Sequence, residues 1–344
     1  MSIELSQVCV VILSRDRHQI LLKSLAYWTA LGVNVVVVHK TTRPLSPNLI
    51  SRGVTYINSN ESYALRCGVA SQNLVGEYCI VASDDELYLP SALTKMAKNL
   101  ENDKTLFSVG GQALAILGYG RKTYLQSIYK NMWGYENLSK DTMERVEKHF
   151  YSSENKNFNG AMYRMFRKTD SQDFLHFLSK LDKMSTPYIY EVSSEIFCAI
   201  NGPSIYLNEI FWLRNWIEPQ IQSKDWDRKL YFSKWYRDPN FRIEMMKWRE
   251  LLTTYSLKAL SEKQIDELII KVVDFRTREE MREIISEIKK SKSLKRFIPG
   301  IFREITAVFR KFPKVSTTLI NLNNDGITYH SEEVKFGLSV FPKK

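Results

Sequence analysis

Three consecutive carboxylates, Asp84-Asp85-Glu86, follow Ser83 directly after the strand-like run Tyr78-Cys79-Ile80-Val81-Ala82. Acids packed this closely repel one another unless a cation or a tight turn neutralises them. At the exit of a buried parallel strand they lie on the carboxyl edge of an α/β sheet, where open sheets bind ligands. Hard oxygen donors suit Mg²⁺ or Mn²⁺, and Mg²⁺ takes one or two protein carboxylates and completes its shell with water and substrate phosphates. The pattern therefore points to a divalent cation, Mn²⁺ or Mg²⁺, holding a phosphorylated ligand. Taken alone it suits somewhat better a solvated acidic turn ahead of the helix opening near Pro90-Ser91, whose N-terminus favours negative charge.

Other site chemistries find little support. The five histidines are scattered without a metal-ligand pair at helical spacing, which argues against zinc. Cys9, Cys67, Cys79 and Cys198 show no C-x-x-C spacing and are expected to be buried free thiols.

The elements that must position the acids alternate strand and helix. Val8 to Leu13 is a continuous apolar run of the kind a strand covered on both faces produces. His18 to Leu31 places Leu21, Leu25 and Trp28 at helical spacing and stops at Gly32. Val33 to Val38, Val54 to Ile57 and Tyr78 to Ala82 read as further strands, with a helix over Ser62 to Leu74. Repeated β-α-β units imply a parallel sheet. Beyond the acids, a helix over Ser91 to Leu100 is expected, then a strand from Leu106 that turns sharply at Gly110-Gly111. Lys122 to Asn159 lacks strand periodicity but contains Asp141-x-x-Glu144, a helix start. Gly160 to Arg167 reads as a strand, Tyr188 to Asn201 as a helix ended by Gly202, and Ser204 to Leu207 as a last short strand.

The expected division is a sheet domain over 1–216 and a helical region over 217–344. Ser261-x-x-Gln264 and Thr277-x-x-Glu280 look like capping boxes opening two amphipathic helices. Of the formal charge of +11, much lies between Lys289 and Lys314, where nine Lys or Arg face one acid, Glu304. Phe297, Ile298, Ile301, Phe302, Ile305, Val308, Phe309 and Phe312 interleave with them. Such a segment, 289–314, suits an anionic membrane surface, or is a docked helix whose basic side chains face water. No apolar run has the length of a membrane span, and the start of the chain lacks a signal-peptide pattern, so a cytoplasmic protein is expected, peripheral on the inner face of the cell membrane where segment 289–314 is the membrane-binding kind.

The order of these elements resembles the nucleotide-sugar glycosyltransferases of the GT-A fold, especially the large family 2. Val10-Val11-Ile12-Leu13-Ser14-Arg15-Asp16-Arg17, a Leu-rich helix and Val35 to Val38 match its opening. Arg66 through Asn73, Gly76-Glu77-Tyr78, Ser83-Asp84-Asp85-Glu86 and Pro90 resemble its helix, "GEY" strand, D-x-D region and proline. The resemblance covers roughly the first 215 residues. It implies an α/β GT-A fold, Rossmann-like with a mostly parallel sheet flanked by helices, to which this chain adds a helical C-terminal extension.

The resemblance also implies roles. Counting back from Pro90, the first Asp of D-x-D falls on Ser83, a departure that shifts the uridine or ribose contact to Asp84. Asp85 becomes the principal metal ligand, with Glu86 as a second ligand or as a cap of the following turn. Ser14, Arg15, Arg17 and Arg66 are donor-binding candidates, since arginine forms bidentate contacts with phosphate oxygens. Expelling a nucleotide diphosphate develops charge that a cation and fixed dipoles offset. An acid about eleven residues before a glycine acts as base in the family, here Glu191 ahead of Gly202, with Glu195 one turn on. Phe211 to Trp216 resembles a late aromatic and arginine element, making Arg214 a diphosphate contact. Gly110-Gly111-Gln112 is expected on the acceptor side, with Trp133, Tyr135, Tyr188 and Tyr190 as stacking candidates.

The function expected is metal-dependent, inverting transfer of a sugar from a nucleotide-sugar donor to a glycan or lipid-linked acceptor, in cell-surface polysaccharide synthesis. Two alternatives stand beside it. A sugar nucleotidyltransferase would carry a glycine-rich phosphate loop after its first strand, and Ser14 to Arg17 contains no glycine. A non-catalytic membrane or nucleic-acid adaptor would act through its basic segment, although no nucleic acid is expected as a partner.

Overall fold

A computed structural model describes residues 3–119, 122–128, 134–151, 160–215, 230–256 and 259–297, together with positions 333 and 339. In chain order it contains β1 (Val8–Arg15), α1 (His18–Ala30), β2 (Asn34–Lys40), β3 (Val54–Asn58), α2 (Tyr63–Ser71), β4 (Tyr78–Ala82), β5 (Glu86–Tyr88) and α3 (Pro90–Asn102). There follow β6 (Ser108–Tyr119), β7 (Lys122–Ile128), β8 (Glu136–Asn137), α4 (Thr142–Tyr151), β9 (Met165–Arg167), α5 (Lys168–Ser179), α6 (Tyr188–Asn201) and β10 (Ser204–Asn215). The C-terminal part is helical: α7 (Phe232–Arg237), α8 (Arg242–Ser256) and α9 (Glu262–Phe297).

The strands form one sheet in the order β3-β2-β1-β4-β9-β6-β10-β5, with β7 on β6 and β8 on β10. β3, β2, β1 and β4 run parallel, as do β6 and β10, and β9 is antiparallel to both β4 and β6. The mostly parallel α/β sheet flanked by helices, with helices after it, is the architecture expected from the sequence.

The side-chain period of two explains why β1, β2 and β4 read as unbroken apolar runs. Val8, Val10 and Ile12 pack with Val35, Val37 and Ile80 against α1 and α3, through Leu25, Trp28, Leu93 and Met96. Cys9, Val11, Val36 and Cys79 pack on the opposite face against α2, α5 and α6, and the cluster continues into Trp235, Trp248, Leu252 and Leu268 of the C-terminal helices. All four cysteines are buried and free. The expected domain boundary at 216 adjoins residues outside the described set, and the helices beyond it share this core.

Several elements differ from expectation. β6 does not turn at Gly110-Gly111 but continues through them, and a Cβ at Gly110 would stand 2.5 Å from Tyr206 Cε1 and one at Gly111 2.8 Å from Phe211 Cδ1. These glycines admit the rings of β10. β10 itself extends to Asn215, three times the length expected, and β7 forms a hairpin with β6 where no strand was expected. Gly160 to Arg167 yields only the three residues of β9, after a 3-10 turn over Ala161–Tyr163.

At the C-terminus, Ser261 and Gln264 form their expected box. Thr277 opens no new helix, because its hydroxyl donates to Val273 O within the continuous α9 and Glu280 accepts from Phe232 N and Ser233 N. The side chains of the basic segment 289–314, Trp133 and the Asn321 to Gly326 region lie outside the described residues. No helix among the described residues is long and apolar enough to cross a membrane.

Candidate active site

The chain leaves β1 through α1 toward β2 and β3 on one side, then returns through α2 to β4 on the other side of β1. The carboxyl ends of β1 and β4 therefore flank the point where the strand order reverses, the place where open α/β sheets bind ligands. The sequence puts Ser14 on one lip and Asp84-Asp85 on the other. Ser14 Oγ donates to Asp84 Oδ2 at 2.6 Å, joining the ends of the two strands.

Local backbone geometry adds a third participant. Asp16 adopts φ 51°, a left-handed conformation that Asp tolerates, immediately after β1. The next residue, Arg17, turns its guanidinium back to the acids, with Nη1 2.7 Å from Asp84 Oδ1 and 3.0 Å from Asp85 Oδ2. Both aspartates are buried. Burial pushes the Asp84 carboxyl up to about 6; Arg17 opposes this, the Asp85 charge reinforces it, and the Ser14 hydrogen bond opposes it.

The Ser83–Glu86 turn closes on itself: Glu86 N donates to Ser83 O, and Ser83 N donates to Glu86 Oε2 at 2.8 Å. Glu86 opens β5, which pairs with β10 so that Glu86 faces Arg214, Oε1 to Nε at 3.4 Å. Asn215 N donates to Asp85 O at 2.9 Å, tying the turn to the end of β10. Glu86 is fully buried, and desolvation raises its carboxyl to about 7 despite Arg214, with the Asp85 charge adding to the rise.

These placements sort the expected donor-site residues. Ser14, Arg17, Asp84 and Asp85 converge, and Glu86 and Arg214 lie behind them as a paired support. Glu86, expected as a second metal ligand or as a cap of the following turn, is bonded to Ser83 within its own turn and faces Arg214 of β10. Arg66, expected at the donor, is buried on α2 and donates to Ser14 O at 2.6 Å and Val38 O at 3.2 Å, so it fixes the ends of β1 and β2. Arg15 is partly exposed and lies 3.9 Å from Asp16.

A divalent cation fits this donor set through Asp85. Both oxygens of Asp84 and Oδ2 of Asp85 already accept hydrogen bonds, whereas no donor among the described residues meets Asp85 Oδ1. One carboxylate suffices for a hard cation that also binds substrate phosphates. No cluster of three or more His, Cys, Asp or Glu among the described residues would hold a metal without such a ligand.

The two candidate bases separate sharply. Glu191 sits partly exposed in the first turn of α6. Glu195 is buried, with Oε2 2.7 Å from His149 Nε2 and 3.2 Å from Arg164 Nη2, and Oε1 accepting from Ala161 N at 2.8 Å. Burial opposes ionisation of Glu195, yet His149, Arg164 and the Ala161 amide together hold its carboxyl below the ordinary range. Its partners commit it to the interior, contrary to the expectation that it stands ready as a second base.

Sequence reasoning missed His149 and Arg164 because neither has a local spacing signal; they meet Glu195 only through the packing of α4, the 160s turn and α6. Arg164 further binds Tyr206 Oη at 2.6 Å and Ser204 Oγ at 3.2 Å. The same turn carries Tyr163, whose ring lies 4.0 Å from that of Trp212, beside the β5–β10 pair.

No protein-family model and no curated protein matches the chain. Among solved structures, it is similar to the crystal structure of S. aureus TarS 1-349, at 11% identity and TM-score 0.46, over 78% of this chain and 71% of that one. It is also similar to S. aureus TarS, at 12% identity and TM-score 0.40 over 79% of this chain and 55% of that one. A third likeness is to TarS 1-349 in complex with UDP-GlcNAc, at 12% identity and TM-score 0.41 over 80% of this chain and 91% of that one.

Proposed function

We propose that the chain is a glycosyltransferase of the GT-A type that transfers a sugar from a nucleotide-sugar donor to a glycan or lipid-linked acceptor in cell-surface polysaccharide synthesis. The observation that carries this reading is the Ser14–Asp84 bridge across the reversal point of the sheet, because the residues matching the family's first strand and its D-x-D region meet there. Asp84 holds the nucleoside side of the donor, and Asp85 is the ligand for Mn²⁺ or Mg²⁺. When bound, that ion supplies Lewis-acid stabilisation of the departing diphosphate. Arg17 adds fixed positive charge, and Ser14, Glu86 and Arg214 keep both acids in place.

Glu191 takes the acceptor proton. Its place in the first turn of α6 favours the ionised carboxylate that a base requires. Attack from the face opposite the leaving group, with inversion, is part of the proposal, as is attachment of segment 289–314 to an anionic membrane surface.

A panel of sugar nucleotides incubated with Mn²⁺ tests the reading through release of nucleoside diphosphate, with Asp85→Ala as control. Turnover of one donor by the wild type, at least a hundredfold slower in a folded Asp85→Ala protein, is the expected result. Equal turnover in both proteins, or none with any donor, overturns it.

A further inference from the structure

Arg17 is bonded in a way that a purely structural ion pair does not require. Arginine commonly meets carboxylates with two nitrogens in a fork. Here one nitrogen, Nη1, serves both partners, 2.7 Å from Asp84 Oδ1 and 3.0 Å from Asp85 Oδ2. The other two, Nε and Nη2, are buried and meet no acceptor among the described residues. Buried donors without acceptors are costly, and in native proteins such groups mark a water, an ion or a ligand. The Nε–Nη2 edge presents two parallel N–H groups, which match a pair of phosphate oxygens.

The charges add a second constraint. Each oxygen of Asp84 already accepts one hydrogen bond, from Ser14 Oγ and from Arg17 Nη1, and keeps one lone pair for a donor hydroxyl. Asp85 Oδ1 is the aspartate oxygen that no donor among the described residues meets, so it is the open entry for a cation, while Oδ2 of the same carboxylate is bonded to the guanidinium. A divalent ion entering alone meets a fixed positive charge across one carboxylate. A diphosphate reverses that field by adding negative charge, and it supplies the acceptors that Nε and Nη2 lack.

The geometry points to Arg17 as a counter-ion switch: in the protein alone its guanidinium neutralises Asp84 and Asp85 and holds off a divalent cation, and a nucleoside diphosphate engaging Nε and Nη2 draws it from Asp85. Cation binding thereby becomes conditional on nucleotide. The inference rests on the proposal that this crevice takes a nucleoside diphosphate with a divalent cation, and it goes further by assigning the order of binding and the residue that enforces it. Because coupling between two ligands is reciprocal, Mn²⁺ must also tighten the nucleotide.

Mn²⁺ binding to the full chain, read from the electron paramagnetic resonance signal of the free ion, tests this with UDP as the probe. UDP is expected to tighten Mn²⁺ binding to the wild type at least tenfold. Arg17→Gln is expected to bind Mn²⁺ without UDP at least tenfold more tightly than the wild type, with the gain from UDP reduced to less than threefold. Unchanged Mn²⁺ affinity in Arg17→Gln, while UDP still tightens binding to the wild type, overturns the switch and leaves the donor-site reading intact. Absence of Mn²⁺ binding to the wild type with UDP, GDP or ADP overturns both. Should Arg17→Gln fail to fold in a melting curve, Arg17→Lys decides. A point charge on a shorter reach releases Asp85, so Mn²⁺ alone must bind at least threefold more tightly, and wild-type affinity there rejects the switch.

Discussion

His149 Nε2 lies 2.7 Å from Glu195 Oε2 with both side chains buried, and this pair divides the work of the two acids on α6. Glu195 holds the turn that carries Tyr163, through Ala161 N, and joins α4 to α6. Glu191, one turn earlier at the mouth of the helix, keeps partial exposure. Glu195, buried and bonded at both carboxylate oxygens, is therefore poorly placed to take a proton from a substrate.

The two acids should respond oppositely to substitution. Removing one member of a buried ion pair costs about 3–5 kcal/mol, so Glu195→Ala is expected to lower the unfolding free energy by that amount in urea titrations. Glu191→Gln is expected to change it by less than about 1 kcal/mol and to slow transfer about 10²–10⁴-fold, the range for loss of a general base. Wild-type transfer by Glu191→Gln removes that residue from the mechanism.

The site should make stability depend on pH between weak acid and neutrality. The carboxyl of Asp84, raised to about 6 from 3.8, and that of Glu86, raised to about 7 from 4.5, hold protons that the unfolded chain releases. Their contribution to stability is complete below the unfolded values and is lost as pH rises through the folded ones, at up to about 1.4 kcal/mol per pH unit for each group. Glu86→Gln is expected to flatten the upper part of this window. Urea midpoints at pH 5 and pH 8 check it: the wild type should lose more than the variant, and equal losses count against a neutral Glu86.

Much of this arrangement was legible because strand burial is local information. Val8 to Leu13 and Tyr78 to Ala82 announce strands covered on both faces, and the acids following the second are placed by that fact alone. The position of Glu86 was not legible, since β5 is three residues long and exists only through its pairing with β10. Arg66 misled for a similar reason: an arginine on a helix gives no local sign that its guanidinium will reach Ser14 O and Val38 O. Gly110-Gly111 looked like a turn because glycine permits one, whereas the deciding contacts come from Tyr206 and Phe211, on a strand far along the chain.

Gly110→Ala should therefore destabilise by crowding rather than by altering a turn. A methyl group 2.5 Å from Tyr206 Cε1 forces that ring to move, and overpacking of this kind costs about 1–3 kcal/mol. Tyr206 also accepts from Arg164, so the displacement reaches the Glu195 network. A double variant, Gly110→Ala with Tyr206→Phe, measures the coupling; full additivity of the two unfolding free energies would reject this route.

Ser14→Ala tests the bridge on which the site is built. The hydroxyl donates to Asp84 Oδ2 at 2.6 Å, and its loss leaves that oxygen buried without this donor while Arg17 still holds Oδ1. A hydrogen bond to a charged group contributes about 1.5–3 kcal/mol, and part of that loss should appear in the melting temperature. The remainder should appear as weaker donor binding, because Asp84 is then anchored at one oxygen and can rotate away from the nucleoside. Isothermal titration with UDP is expected to show about tenfold weaker binding, with Ser14→Thr, which keeps the hydroxyl, near the wild type. If Ser14→Ala and Ser14→Thr weaken binding equally, bulk at the end of β1 rather than the hydrogen bond governs the crevice.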